Sequence, residues 1–301
     1  MCEMEIDSIE TIEFTLKDHI YHIHQLPITN YYDKCLSKNS TQNDSTGCRI
    51  YIGAHVMSQF LASNLAKDLL NNKTVLELGC GTGLVGLVCL YNNALKKLIL
   101  TDGNNNACNI AQLNISSIGL NSIQQNQIYC KQLIWNTDPQ YSLNLINSEN
   151  NNEPFDVILG CELMYYKTDM NQLLHTVLNL TNYKGIFIHS HVFRAHSLER
   201  EMHTIFTQYH WSTLLVPIHT FIPLSELDTR VSWYQVCTLV SGPNEVIDKL
   251  LQCHSDWTVF TTCEEACNIH LTRGGEHNSD PNVSDDNKEQ NSIFGTLFKT
   301  D

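Results

Sequence analysis

The chain has 301 residues, 42% of them hydrophobic, and a formal charge of −14. That is enough for one large domain or two small ones. The acidic balance disfavours nonspecific binding to nucleic acid or anionic membrane and suits a basic protein partner. No apolar stretch reaches transmembrane length, and Met1–Asp7 has no apolar core for a signal peptide. Several of the twelve cysteines (Cys89, Cys108, Cys161 and Cys237) fall inside what read as core elements. They read as free thiols of a reducing compartment, the cytoplasm with the nucleus as a second address.

Residues 9–27 alternate apolar and polar side chains around Lys17-Asp18 and predict a β-hairpin. Residues 33–47 are polar and predict a loop. Val56, Phe60, Leu61, Leu65, Leu69 and Leu70 recur at helical spacing over 55–70. A strand follows at 74–78, then a glycine turn and a helix from Leu84. A second strand ends at Asp102, and a helix runs to Gly119. Strand 127–134 precedes an Asn-rich surface loop at 136–153. Beyond it lie strand 155–159, helix 168–180, strand 185–188, helix 197–209 and two final strands at 211–221 and 232–240. A short helix at 244–252 and a strand at 257–262 end the pattern. Residues 274–292, rich in Gly, Asn, Asp and Ser, predict disorder. Strands alternating with helices give an α/β fold with a mostly parallel sheet, and the last two strands an antiparallel hairpin at one edge. The expected division is a hairpin and loop extension at 1–46, a catalytic domain at 47–241 and a C-terminal extension at 242–301.

The most informative stretch is Glu77-Leu78-Gly79-Cys80-Gly81-Thr82-Gly83 between the first central strand and its helix. Glycines let the backbone turn tightly and approach a ligand, and the helix behind offers unpaired N–H groups. Asp102 closes the next strand about 20 residues on, where a βαβ unit places a carboxylate on a ribose. Glycine turn, flanking strands and terminal Asp together outweigh a lone glycine pattern.

These residues resemble a class I, seven-strand S-adenosylmethionine-dependent methyltransferase. Over 45–240 the chain is similar to the protein lysine methyltransferases that modify chaperones, translation factors and calmodulin. The resemblance rests on Glu77–Gly83, Thr101-Asp102-Gly103-Asn104, Leu133-Ile134-Trp135, Thr46-Gly47 with Tyr51, and Glu162-Leu163-Met164-Tyr165. Tyr51 stands where the family usually has Trp, Glu162 where most members have Asp, and Ile134 where an acidic residue is common. The resemblance implies a Rossmann-like seven-strand sheet with helices on both faces. It implies S-adenosyl-L-methionine as cofactor, held by Tyr51, Glu77, Gly79, Cys80, Gly81, Gly83, Asp102, Trp135 and Cys161. Glu162 and Tyr165 are implied as the catalytic pair and a protein lysine as acceptor. A histidine acceptor is the alternative that Glu162 suggests, and a cofactor-binding adaptor without catalysis is another.

Two constellations lie outside the motif. Cys253, His254, Cys263, Cys267 and His270 are zinc-ligand types without a familiar paired spacing, and we expect no metal there. His189 and His191 share one face of a strand and read as hydrogen-bonded structural residues.

Overall fold

The computed structural model describes residues 9–27, 46–119, 128–165, 168–192, 196–227 and 236–260. The hairpin is present as β1 (Glu10–Leu16) and β2 (His19–Gln25), antiparallel with Leu16 opposite His19. Lys17 takes a left-handed turn, φ 52°. Phe14, Leu16, Tyr21 and Ile23 are buried in the same core as the central sheet.

That sheet has β3 (Thr74–Leu78) at its centre. On one side lie β4 (Lys97–Asp102) and β5 (Ile128–Gln132). On the other lie β6 (Val157–Cys161), β7 (Ile186–Val192), β9 (Val236–Pro243), β8 (Trp211–Val216) and β10 (Thr258–Val259). The strands from β5 to β7 are parallel, and β9 is antiparallel to both its neighbours. This is the expected α/β architecture with two refinements. β9 inserts between β7 and β8 and so is not at the edge. The two residues of β10 add an eighth strand outside β8.

Period-two alternation assigns the faces. Val75, Leu98, Leu100, Val157 and Leu159 point into one core, and Leu76, Leu78, Ile99 and Ile158 into the other. The first face carries α1 (Ile52–Leu61), α2 (Asn64–Leu70), α3 (Leu84–Asn92), α4 (Asn105–Ser117) and α9 (Asn244–Cys253). The second carries α6 (Met170–Leu180) and α7 (His196–Gln208). A short α8 (Leu224–Leu227) joins α1 in a separate small cluster.

Two elements differ from the sequence expectation. The helix expected over 55–70 is two helices, because Ser63 caps α2 by accepting the Ala66 N–H at 3.4 Å. The loop expected at 136–153 contains α5 (Pro139–Glu149). Asp138 accepts the Gln140 N–H at 2.9 Å, and Pro139 needs no donor at the first helical position. Only Ser142, Leu145 and Asn150 are buried along the described part of this stretch, so the apolar period is too thin to read.

Asn114 of α4 binds the hairpin to the glycine turn. Its Oδ1 accepts the His24 N–H at 2.7 Å, and its Nδ2 donates to His24 O at 3.0 Å and to Thr82 O at 2.8 Å. The side chain is fully buried with both its N–H donors and its oxygen paired. The expected disorder at 274–292 lies outside the described residues, as do Cys263, Cys267 and His270. Among the described residues, no helix is long and apolar enough to cross a membrane.

Candidate active site

Strand order reverses at β3, with β4 and β5 on one side and β6 and β7 on the other. In open α/β sheets the crevice beyond the carboxyl ends of the strands at such a point is where ligands bind. The glycine turn leaves β3 there and Glu162–Tyr165 leave β6 there. The two loops touch: a Cβ on Gly79 would lie 2.5 Å from Leu163 Cδ2 and 3.8 Å from the Trp135 ring.

Gly79, Gly81 and Gly83 have φ of 59°, 55° and 79°. A side chain is strained at each, and at Gly81 it would also meet Gly47 O at 2.6 Å. The Gly83 N–H donates to Cys80 O at 2.8 Å, and the Cys80 N–H donates to Thr101 O at 2.9 Å. The turn is therefore closed on itself and pinned to β4. Its bare backbone faces the crevice ahead of α3, whose first turn is buried.

Asp102, half-buried, accepts the Gly81 N–H on Oδ2 at 3.0 Å and the Asn104 N–H on Oδ1 at 2.8 Å. A carboxylate has roughly four acceptor positions, and these two bonds orient it at the strand end. Leu133 N–H donates to Asp102 O at 2.9 Å, which sets the Leu133-Ile134-Trp135 segment beside it. Trp135 is half-buried, and the next residue is tied to α6, with Asn136 N–H donating to Thr176 Oγ1 at 2.9 Å. Ile134 is 50% exposed, so the segment turns an apolar side chain outward beside Gly103.

Glu77 is 1% exposed and lies under the turn, with the Gly86 N–H favouring its ionised form. Burial dominates, Asp102 adds repulsion, and the pKa rises to about 8. A Cβ at Gly86 would sit 2.6 Å from Glu77 Oε2, so the bare glycine makes the seat. Because the folded pKa exceeds the unfolded 4.5, the folded chain holds this proton more tightly. The associated stability is complete below about pH 4.5 and is lost as pH rises through about 8. Glu77→Gln cannot ionise, so without cofactor its urea midpoint should vary less between pH 5 and 9 than the wild type's. Parallel pH profiles would remove Glu77 as the source.

Cys80 is buried with its Sγ 3.8 Å from Cys130 Sγ. The Cys130 contact pulls its pKa down, but burial and the charges of Glu77 and Asp102 outweigh it and push the thiol up to about 12. It is a protonated wall of the turn and no nucleophile. Cys161 ends β6, with Ser190 Oγ 3.4 Å from its Sγ. Tyr51 occupies the position before α1, makes no side-chain cap and is 37% exposed. Tyr165 is half-buried, its backbone clasped by Thr168, whose N–H donates to Tyr165 O at 2.8 Å.

Glu162 has φ of 54°, a strained value for a residue with a side chain. Its N–H donates to Ser190 O at 2.8 Å and its Oε1 accepts the Gly53 N–H at 2.7 Å. The structure thus brings the glycine turn together with Asp102, Trp135 and the Leu163 side chain, and sets Glu77 beneath the turn. It starts the Glu162–Tyr165 loop at the same sheet edge, with Cys161 before it and Tyr51 at the head of the helix that Glu162 touches. Sequence reasoning missed Gly53 and Asn114. Gly53 carries a weak signal, a glycine in the first turn of a helical pattern; Asn114 carries none.

His189 and His191 face α7 and are buried. His189 stacks on Phe187 at 4.4 Å, and burial, then His191, holds its pKa well below the usual value. His191 Nε2 lies 3.3 Å from Glu199 Oε1 of α7. Both rings are buried in this face of the sheet, His189 through stacking and His191 beside Glu199. His254 stacks on Trp257.

The lysine methyltransferase family model matches residues 32–208. The chain belongs to the lysine methyltransferase family. The bare, positive-φ turn and the Asp102 carboxylate fit S-adenosylmethionine, the cofactor of this fold. An uncharacterised protein of Dictyostelium discoideum is 28% identical over 148 residues, covering 42% of this chain and 39% of its own length. The protein-lysine N-methyltransferase EFM3 of Chaetomium thermophilum is 27% identical over 148 residues, covering 48% of this chain and 41% of its own length. The chain therefore spans about two fifths of the length of the curated relatives it matches. Among solved structures, M. capricolum TrmK bound to S-adenosyl-homocysteine has a TM-score of 0.40 at 14% identity, covering 62% of this chain and 67% of that one. The methyltransferase domain of bacterial CtHen1 has 0.44 at 17%, covering 62% and 98%.

Proposed function

We propose that this methyltransferase transfers the methyl group of S-adenosylmethionine to a lysine side chain of a protein. The observation that carries the reading is the meeting of the glycine turn after β3 with the Glu162-x-x-Tyr165 loop after β6, seen at Gly79 and Leu163. When bound, the cofactor supplies a methyl group on a positively charged sulfur, open to in-line attack. Asp102 would accept ribose hydroxyls, the turn would approach the methionine part, and Trp135 would lie against the adenine. Glu162 and Tyr165 would hold the acceptor nitrogen in line, and positioning is the main contribution such a reaction needs. A carboxylate favours the ammonium form of lysine, so Glu162 orients the amine while its proton leaves to water.

The substrate class that fits is a protein with basic character, given the charge of −14. A chaperone or a translation factor is the kind of protein the family resemblance suggests. The cysteines of the described residues are free thiols, in keeping with a reducing compartment such as the cytoplasm.

The deciding experiment is incubation of the full chain with labelled cofactor in a lysate, then mass-spectrometric localisation of the label. Methyl-lysine is the expected product. Label on histidine would replace the acceptor, and tight cofactor binding with no transfer to any protein would favour an adaptor.

A further inference from the structure

Helix α1 begins without a side-chain cap of its own, since Tyr51 makes none. Its second residue is Gly53, whose N–H is among the first-turn donors that have no partner inside a helix. The acceptor comes from 109 positions away, because Glu162 Oε1 takes that N–H at 2.7 Å. The fit leaves no room for a side chain. A Cβ on Gly53 would stand 2.5 Å from Glu162 Cγ, 2.7 Å from Oε1 and 3.0 Å from Cδ. Real Cβ atoms do not approach that closely, so the carboxylate would have to leave. The other side of Gly53 is also held: Ser190 Oγ donates to Gly53 O at 3.3 Å, while Ser190 O accepts the Glu162 N–H. Gly53, Glu162 and Ser190 thus form a closed link between the start of α1 and the ends of β6 and β7.

Glycine is unfavourable in a helix by roughly 0.5–1 kcal/mol against alanine. Here it is buried and its missing Cβ is the space that the glutamate stem fills. Nothing in helix formation asks for glycine at this position. The requirement comes from residue 162 and from its length: a glutamate brings a methylene to the point where a Cβ would otherwise sit.

We propose that Gly53 is a positioning residue of the acceptor site, setting the Glu162 carboxylate by donating its N–H and by leaving its side-chain space empty. This rests on the reading of Glu162 as the group that orients the acceptor. The pairing of a bare residue at 53 with a long acid at 162 fixes how far the carboxylate reaches from β6. The glycine turn, Asp102 and Trp135 lie on other loops, so a change at 53 acts mainly on turnover and leaves most of the cofactor affinity in place, Tyr51 and Cys161 being the expected cofactor residues that border the link.

The test uses the full chain with the protein substrate found in the lysate experiment, comparing Gly53→Ala, Glu162→Asp, the double variant and Glu162→Gln. Cofactor affinity and the unfolding midpoint are measured for each. Gly53→Ala should lower kcat on the order of 100-fold, since a misplacement of about 1 Å has that effect, with cofactor Kd within about twofold. Glu162→Asp alone should also lower kcat, because the shorter acid no longer reaches the Gly53 N–H. The double variant should return to the turnover of Glu162→Asp alone and fall no further, because the shorter side chain vacates the space the new methyl needs and the N–H bond is already lost. Wild-type turnover in Gly53→Ala, with Glu162→Gln impaired, overturns the proposal and leaves Glu162 in its role. Wild-type turnover in Glu162→Gln overturns the role of Glu162 itself. Should Gly53→Ala fail to fold, Glu162→Asp on the unaltered helix decides: full turnover there overturns the proposal.

Discussion

Asp102→Ala is expected to weaken S-adenosylmethionine binding by about 1.5–3 kcal/mol, roughly ten- to more than one-hundredfold in Kd. The carboxylate sits at the end of β4, its two oxygens aimed by Gly81 N–H and Asn104 N–H. Those donors orient it before any ligand arrives, so binding does not have to order the side chain. The ribose hydroxyls would then bond to an ionised acceptor, the stronger class of hydrogen bond. Asp102→Asn separates charge from shape. It keeps one carbonyl oxygen and puts a donor where the other was, facing either Gly81 N–H or Asn104 N–H, and so should also weaken binding. Calorimetry with S-adenosylmethionine and with S-adenosylhomocysteine gives both losses. Nicotinamide dinucleotides should not bind the wild type. An unchanged Kd in folded Asp102→Ala would take the residue out of the ribose site.

What could be read from the sequence was whatever repeats or clusters locally. The hairpin followed from period-two alternation around Lys17-Asp18, and the site loop from seven contiguous residues whose glycines adopt positive φ. Asp102 followed from its place at a strand end. The misses are contacts between positions far apart in the chain. Asn114 is fully buried because its amide meets His24 and Thr82 at once, and an asparagine on a helix gives no hint of that. Gly53 answers to Glu162 across 109 positions. Helix α5 was missed for a different reason. Asp138-Pro139 is a legible start, but the helix lies on the surface with few buried side chains, so no apolar period marks it. The insertion of β9 between β7 and β8 was hidden too, because pairing order in an antiparallel segment is fixed by which strands meet and not by their own pattern.

Glu162→Gln and Tyr165→Phe should each leave cofactor affinity nearly intact while turnover falls, on the order of 100-fold for Glu162→Gln. The glutamine amide can still place an oxygen toward the Gly53 N–H, so the link between β6 and α1 can survive. What is lost is the charge that holds a cationic or strongly donating nitrogen. Tyr165 stands three residues on, its backbone fixed by Thr168, and its phenylalanine variant removes only the hydroxyl. The ring remains for a cation–π contact, so its loss should be the smaller of the two. The pH dependence then identifies the acceptor. A lysine begins as an ammonium with an ordinary pKa near ~10.4, so kcat/KM should climb through pH 9 as the neutral amine becomes more abundant. A histidine acceptor would level off above about 6.5. The climb should persist in Tyr165→Phe at a lower rate, because it belongs to the substrate nitrogen and not to the enzyme. Full activity in both variants would leave the crevice as a cofactor-binding site with the acceptor held elsewhere.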